Sequence, residues 1–265
     1  MSNRMILGQY MDRDSLLHQL DPRTKLLGML LVMLGVMSLR MLGQYVVITV
    51  FVLLVVFMSK VPWGSYWQML RPLRLILLFT FLYNILATPG THTIWSWSWI
   101  TLTQEGIWAG VSVTWRLVLL IITASILTLT TKPLVLARGL ESLLSPLSRL
   151  RVPISQISLM IVIAIRFIPT IMEELERIIL AQKARGYDLA AVKMPRRLLA
   201  YIPIVIPLFM TTIQRAEQLT MAIEARAFGN GQGRSTFRPL TLRAQDFWAG
   251  GCLLVLLFMI WRIKG

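Results

Sequence analysis

Side chains that bind metals or act as nucleophiles are scarce in this chain of 265 residues: one cysteine, Cys252, and two histidines, His18 and His92. A lone cysteine excludes any disulfide within the chain. Set in an apolar run, Cys252 reads as a small buried thiol. Both histidines stand far in sequence from the densest acidic group, Glu173, Glu174 and Glu176. That group reads as a solvated helix face pairing locally with Arg177, and no metal site is expected. Acidic residues are few, 12 against 27 lysines and arginines, for a net charge of +15. A phosphate loop is missing too. Gly229-Asn230-Gly231-Gln232-Gly233 lacks the Gly-Lys-Ser/Thr ending that binds nucleotide and reads as a flexible hinge. Nor does Met1 to Gln19 show the basic, apolar and cleavage-site pattern of a secretory leader, so none is expected.

What the chain has in abundance is apolar surface. Apolar residues make up 56% and charged residues only 15%, with a mean hydropathy of +0.67. Soluble domains carry roughly a quarter charged residues. The composition is that of an integral membrane protein, in contact with the lipid bilayer along its spans. Its basic residues mostly gather between the apolar runs, a pattern that sets orientation and favours anionic headgroups. Binding to nucleic acid would need an exposed basic domain of recognisable fold, and none is visible.

Apolar runs mark five spans, at about Leu26–Leu39, Tyr45–Met58, Leu73–Ala87, Ile107–Leu129 and Phe247–Trp261. A crossing takes about 20 residues, so only the fourth suffices outright and the others borrow flanking residues. Asp21-Pro22 opens the first as an N-cap followed by proline at the first helical position. The second connection holds Lys60, Arg71 and Arg74, while the third, Thr88 to Gln104, has no lysine or arginine. The positive-inside rule therefore puts the N-terminus in the cytoplasm and the third connection outside. Five crossings leave the C-terminus outside, against which Arg262 and Lys264 weigh weakly.

The arginine-rich stretch between the fourth and fifth spans is expected in the cytoplasm. The chain thus divides into a four-span membrane domain (1–131), a cytoplasmic helical domain (132–243) and a last span (244–265). The middle part reads as three helical stretches: Leu134–Leu150, amphipathic through Leu136, Leu140, Leu143, Leu144 and Leu147, then Ser155–Arg185 and Arg197–Arg226. The two longer ones begin apolar, at Ile157–Ile171 and Tyr201–Met210. Reading these as further spans would put Lys183, Arg185, Lys193, Arg196 and Arg197 outside and Arg166 within the bilayer. Long helices lying under or partly within the membrane fit the charges better.

Within that segment the tripeptide Ala184-Arg185-Gly186 matches Ala225-Arg226-Ala227. Aligning Arg185 on Arg226 also superimposes Glu176 on Glu217, Ala181 on Ala222 and Tyr187 on Phe228. A basic residue at a helix end followed by a capping glycine would account for Arg185 alone. The duplication goes beyond that. Small neighbours let a helix tip enter a groove, where arginine makes forked hydrogen bonds to carboxylates. Two such tips suit a two-fold or pseudo-two-fold partner.

Other features have plain readings. Gly106 and Gly110 are spaced for close helix packing, within the protein or against another. Trp95, Trp97 and Trp99 alternate as an interfacial aromatic anchor would. Met29, Met33 and Met37 suit an adaptable surface or ordinary lipid-facing packing.

Leu20-Asp21-Pro22-Arg23-Thr24-Lys25-Leu26, Arg166-Phe167-Ile168-Pro169 and the paired tripeptides together resemble the transmembrane component of energy-coupling factor transporters, over nearly the whole chain. That resemblance implies an all-α membrane protein of the bacterial cytoplasmic membrane, with a cytoplasmic coupling domain. It implies docking of Ala184, Arg185 and Gly186, and of Ala225, Arg226 and Ala227, into grooves on two ABC-type ATPase subunits. It also implies a separate small membrane protein that captures a vitamin or metal ion. The chain would then be no enzyme and hold no cofactor, ATP and magnesium residing on the partners. A permease with its own substrate path is the alternative function. A lipid-modifying enzyme is a further one, but it would want convergent carboxylates or histidines that the spans lack.

Overall fold

The computed structural model describes residues 10–11, 13–97, 100–146, 154–187, 199–226 and 243–263, without side chains at 94–97, 100–101 and 154–155. Ten helices run in the order α1 (Leu16–Gln19), α2 (Pro22–Met37), α3 (Leu42–Ser59), α4 (Trp63–Leu70), α5 (Arg74–Ala87), α6 (Gln104–Thr130), α7 (Pro133–Leu144), α8 (Ile154–Ala184), α9 (Ile202–Ala225) and α10 (Ala244–Arg262) among the described residues. Between α5 and α6, β1 (Thr93–Trp97) pairs antiparallel with β2 (Ile100–Thr103), Trp97 opposite Ile100. The protein is an all-α membrane protein with this one short hairpin among the described residues. The tryptophan side chains of the hairpin lie outside the described set.

Among the described residues, six stretches are long and apolar enough to cross a membrane: α3, α4 with α5, α6, α8, Leu199–Ala225 and α10. Two of them are the helices that loop charge assigns to the cytoplasmic side. Conversely α2, read as a span, has 16 residues, about 24 Å of helix against a hydrocarbon core of about 30 Å.

The chain forms two compact units, Met1–Leu143 with Leu240–Gly265, and Leu144–Pro239. In the first, α2, α3, α6 and α10 enclose Val32, Val36, Ile48, Val52, Val56, Leu119, Leu256 and Ile260. Asp21 caps α2 as its sequence requires, its carboxylate accepting the Arg23 N–H at 2.9 Å, with Pro22 in the first turn. Two glycines one heptad apart, Gly28 and Gly35, face α10. A Cβ on Gly28 would meet Leu253 Cδ1 at 2.9 Å, so glycine is what lets the two helices approach.

Gly106 and Gly110 serve the internal option left open by their spacing. A Cβ on Gly106 would lie 2.8 Å from the Ile85 carbonyl oxygen, and one on Gly110 would lie 3.0 Å from Ile85 Cγ1 and 3.1 Å from the Phe81 oxygen. α5 and α6 thus meet backbone to side chain without intervening bulk. Cys252 departs from the expected buried thiol: it is exposed on α10. The adjacent Gly250 and Gly251 have nothing within 4 Å of an added Cβ. In a chain that spans a bilayer, such an apolar run satisfies its surroundings by facing lipid.

Polar side chains inside the first unit are mostly spent on the protein itself. Thr123, Ser125 and Thr130 donate to carbonyls one turn back in α6, the way hydroxyls are satisfied in an apolar helix. Gln44, fully buried, donates to the Ile260 carbonyl at 3.0 Å and accepts from the Arg40 and Met41 N–H groups. Arg116, inside the fourth apolar run, donates to the Leu39 carbonyl at 2.6 Å and to the Tyr45 hydroxyl at 3.0 Å. It thereby serves a carbonyl left free just past the end of α2.

Candidate functional site

Both Ala-Arg pairs sit where α8 and α9 end, in the second unit. At the first, the chain closes in a Schellman motif: Tyr187 N–H bonds the Gln182 carbonyl and Gly186 N–H bonds the Lys183 carbonyl, each at 2.9 Å. Gly186 takes φ +82°, the left-handed region, with open space where a Cβ would go. Its glycine is therefore a backbone requirement. Ala184, Arg185 and Gly186 are all exposed.

At the second end the residue that matches Gly186 is Ala227. Arg226 has φ −88° and ψ 10°, and its N–H is directed at the Glu224 carbonyl. Ala225 and Arg226 are exposed. Ala227 and the Gly229–Gly233 segment lie outside the described residues. Neither arginine side chain makes a hydrogen bond or ion pair among the described residues.

Three contacts define how α8 and α9 pack. Tyr187 Oη donates to the Ala200 carbonyl at 2.9 Å, Gln182 Nε2 donates to the Pro203 carbonyl at 3.2 Å, and Arg215 pairs with Glu174 at 3.2 Å. As one partner moves back along α8, the other moves forward along α9. The helices are an antiparallel pair. Arg185 therefore lies beside the start of α9, and Arg226 lies at the far end of the pair. From Pro203 to Ala225 is about 33 Å of helix at 1.5 Å per residue.

Glu174 thus departs from the expected local pairing with Arg177. It reaches across to Arg215, while Glu173, Glu176 and Arg177 are exposed. Cross-helix pairing needs knowledge of the fold, which i to i+4 spacing does not carry. No cluster of histidine, cysteine and acidic side chains able to hold a metal ion occurs among the described residues. Arg166 is exposed on α8, and Pro169 sits within that helix.

The motif that precedes the first apolar run anchors the first unit. Asp246, 5% exposed, accepts the Asp21 N–H at 2.8 Å with one oxygen and the Arg243 N–H at 2.8 Å with the other. Lys25, one residue ahead of the apolar stretch read as spanning, donates to the Thr130 carbonyl at 3.2 Å and Thr131 Oγ1 at 3.0 Å. Burial lowers its ammonium to about 8, against the opposing pull of Asp246 and Asp21. The starts of α2 and α10 and the end of α6 are joined here. Asp246 was not singled out from sequence, because nothing local marks a carboxylate 225 positions from its partner.

A family model described as CbiQ, cobalt transport protein, matches residues 13–236. The chain is 41% identical over 254 residues to the energy-coupling factor transporter transmembrane protein EcfT of Thermanaerovibrio acidaminovorans, covering 96% of this chain and 94% of that one. It is 39% identical over 257 residues to the protein of that name from Ruminiclostridium cellulolyticum, covering 97% and 95%. With that from Bacillus subtilis it shares 36% over 264 residues, covering both chains in full. A full-length likeness at this level, carried on a helical membrane scaffold with duplicated arginine tips, places the chain in the family of CbiQ and EcfT transmembrane transport proteins.

Proposed function

We propose that this chain is the transmembrane scaffold of an energy-coupling factor transporter, transmitting ATP binding and hydrolysis on two ABC-type ATPase subunits to a separate substrate-capturing membrane protein. The observation that carries this reading is the pair of exposed arginines, unpaired among the described residues, at opposite ends of one antiparallel helix pair. One rigid body with two like tips about 30 Å apart can engage two like grooves, one on each ATPase subunit. Ala184, Arg185 and Gly186 would enter one groove, and Ala225, Arg226 and Ala227 the other. ATP and magnesium would stay on the partners. The N-terminus and the helix pair would face the cytoplasm, as the loop charges favour.

The chemistry asked of this chain is mechanical. ATP-driven approach of the two subunits would push the tips, and the stiff helices would carry the displacement to the membrane face holding the captured vitamin or metal ion. The permease reading gains nothing from the fold. The hydroxyls of Thr123, Ser125 and Thr130 in α6 are spent on its own backbone, which leaves those three poorly suited to line a hydrophilic path.

Charge reversal tests the proposal. An arginine docked on a carboxylate becomes a buried repulsion in Arg185→Glu or Arg226→Glu. Losing one partner of a buried ion pair costs roughly 3–5 kcal/mol, about two to four orders of magnitude in affinity. Each variant should lose ATP-driven uptake in membrane vesicles while still inserting normally. Full uptake by the double variant would reject the docking role.

A further inference from the structure

Glu174 and Arg215 are 41 positions apart, the same offset that superimposes Arg185 on Arg226. The offset also matches Ile161 with Ile202, Ile163 with Ile204, Ile165 with Ile206, and Thr170 with Thr211. The ion pair therefore joins the two copies of one position in the repeat. In an antiparallel pair of repeats this has a geometric consequence. A half-turn that carries α8 onto α9 exchanges Glu174 and Arg215, so the axis of that half-turn passes between them. Where two copies meet on a true two-fold axis, a residue faces itself, and a charge there meets its own sign. A repeat within one chain escapes this, because its two copies can carry opposite charges. Glu174 and Arg215 do.

We propose that the Glu174–Arg215 pair is the pivot of this helix pair, marking a local pseudo-two-fold axis and holding the crossing register that presents Arg185 and Arg226 symmetrically. Ala184 lies ten residues beyond Glu174, and Ala225 lies ten beyond Arg215. Each tip is thus about 15 Å from the axis along its helix. The pair is half-exposed, the arginine side chain at 42% and the glutamate at 21%. Such pairs add little to stability, so its contribution is register. Sliding one helix past the other would separate the two charges and make the arms unequal. These are positioning residues: they touch neither tip. That the tips dock on ATPases rests on the function proposed above, whereas the axis stands on this helix pair alone.

The test is a distance measurement on the full chain in lipid nanodiscs, in a Cys252→Ser background. Lys183→Cys and Glu224→Cys carry spin labels, being exposed and equivalent under the 41-residue offset. With the pivot intact, double electron–electron resonance should give one narrow distribution centred near 30 Å, from about 20 residues of helix. Glu174→Arg and Arg215→Glu, which each set like charges on the axis, should broaden or shift it by about one helical turn, ~5 Å. The exchange Glu174→Arg with Arg215→Glu restores opposite charges and should restore the narrow distribution. Unchanged distributions in both single variants, or an exchange as broad as either, would overturn the pivot. Capture of ATPase subunits from native membranes is read in parallel on the unsubstituted chain. Failure there rejects the docking reading and leaves the distance result to decide the pivot.

Discussion

Replacing Asp246 should separate the first unit's anchoring hydrogen bonds from its packing. The carboxylate is almost fully buried and receives two backbone N–H groups, from Asp21 and Arg243, each at 2.8 Å. A hydrogen bond to a charged group contributes about 1.5–3 kcal/mol. Asp246→Ala forfeits both and leaves the buried Asp21 N–H without a partner, for a loss of about 3–6 kcal/mol. Asp246→Asn keeps one acceptor oxygen and turns an amide donor toward the other N–H, so about half that loss is expected. Either change also removes one of the two carboxylates that favour the Lys25 ammonium, and because both variants share that loss, their difference isolates the hydrogen bonds. The assay is thermal unfolding in mild detergent followed by the fluorescence of the nine tryptophans. Apparent midpoints should fall in the order wild type, Asn, Ala. An alanine variant no less stable than the asparagine one would refute the reasoning.

Three further outcomes follow from the same geometry. Gly186→Ala forces an L-residue to φ +82°, at about 1–2 kcal/mol. Hydrogen exchange in the last turn of α8 should speed up while the global midpoint stays put. Gly110→Val pushes into Ile85 and the Phe81 carbonyl and should cost about 1–3 kcal/mol by overpacking, seen as a lower midpoint in the same detergent assay. Lys25 titrates near 8 when folded and near 10.5 when unfolded, so between those values the unfolded chain binds the extra proton. Its contribution to stability is full above 10.5, lost as pH falls through 8. The midpoint of wild type relative to Lys25→Met should therefore rise from pH 7.5 to 9.5, about the middle of that window.

What sequence made legible here was local. Asp21-Pro22 marks the start of α2 because a cap and a proline act within one turn. Gly186 signals a left-handed helix end because few other residues tolerate that backbone. α8 and α9 each run from an apolar start to a polar end, as their sequences read, and each closes at its Ala-Arg pair. Contacts between distant segments left no such mark. Glu174 has Arg177 within reach along its own helix, yet it pairs with Arg215 because the antiparallel packing brings α9 across it. Arg116 lies in an otherwise apolar run, and the Leu39 carbonyl past the end of α2 together with the Tyr45 hydroxyl on α3 explains it. Cys252 looks like a core residue by its neighbours in sequence, yet it is exposed on α10 among the described residues. Apolar pattern alone cannot distinguish a face turned to protein from one turned to lipid. Nor does it separate a spanning helix from a long coupling helix, which is why α8 and α9 have the length and composition of spans while their charges argue otherwise.

The central claim is that two arginine tips join this chain to two ATPase subunits, and native co-purification tests it most directly. The chain would be isolated from its own membranes in mild detergent, beside the Arg185→Glu/Arg226→Glu variant, and its companions identified and counted by mass spectrometry. The account predicts two ABC-type ATPase subunits and a small membrane protein with wild type, and loss of the ATPases from the variant. ATPases retained by the variant at wild-type stoichiometry would contradict it.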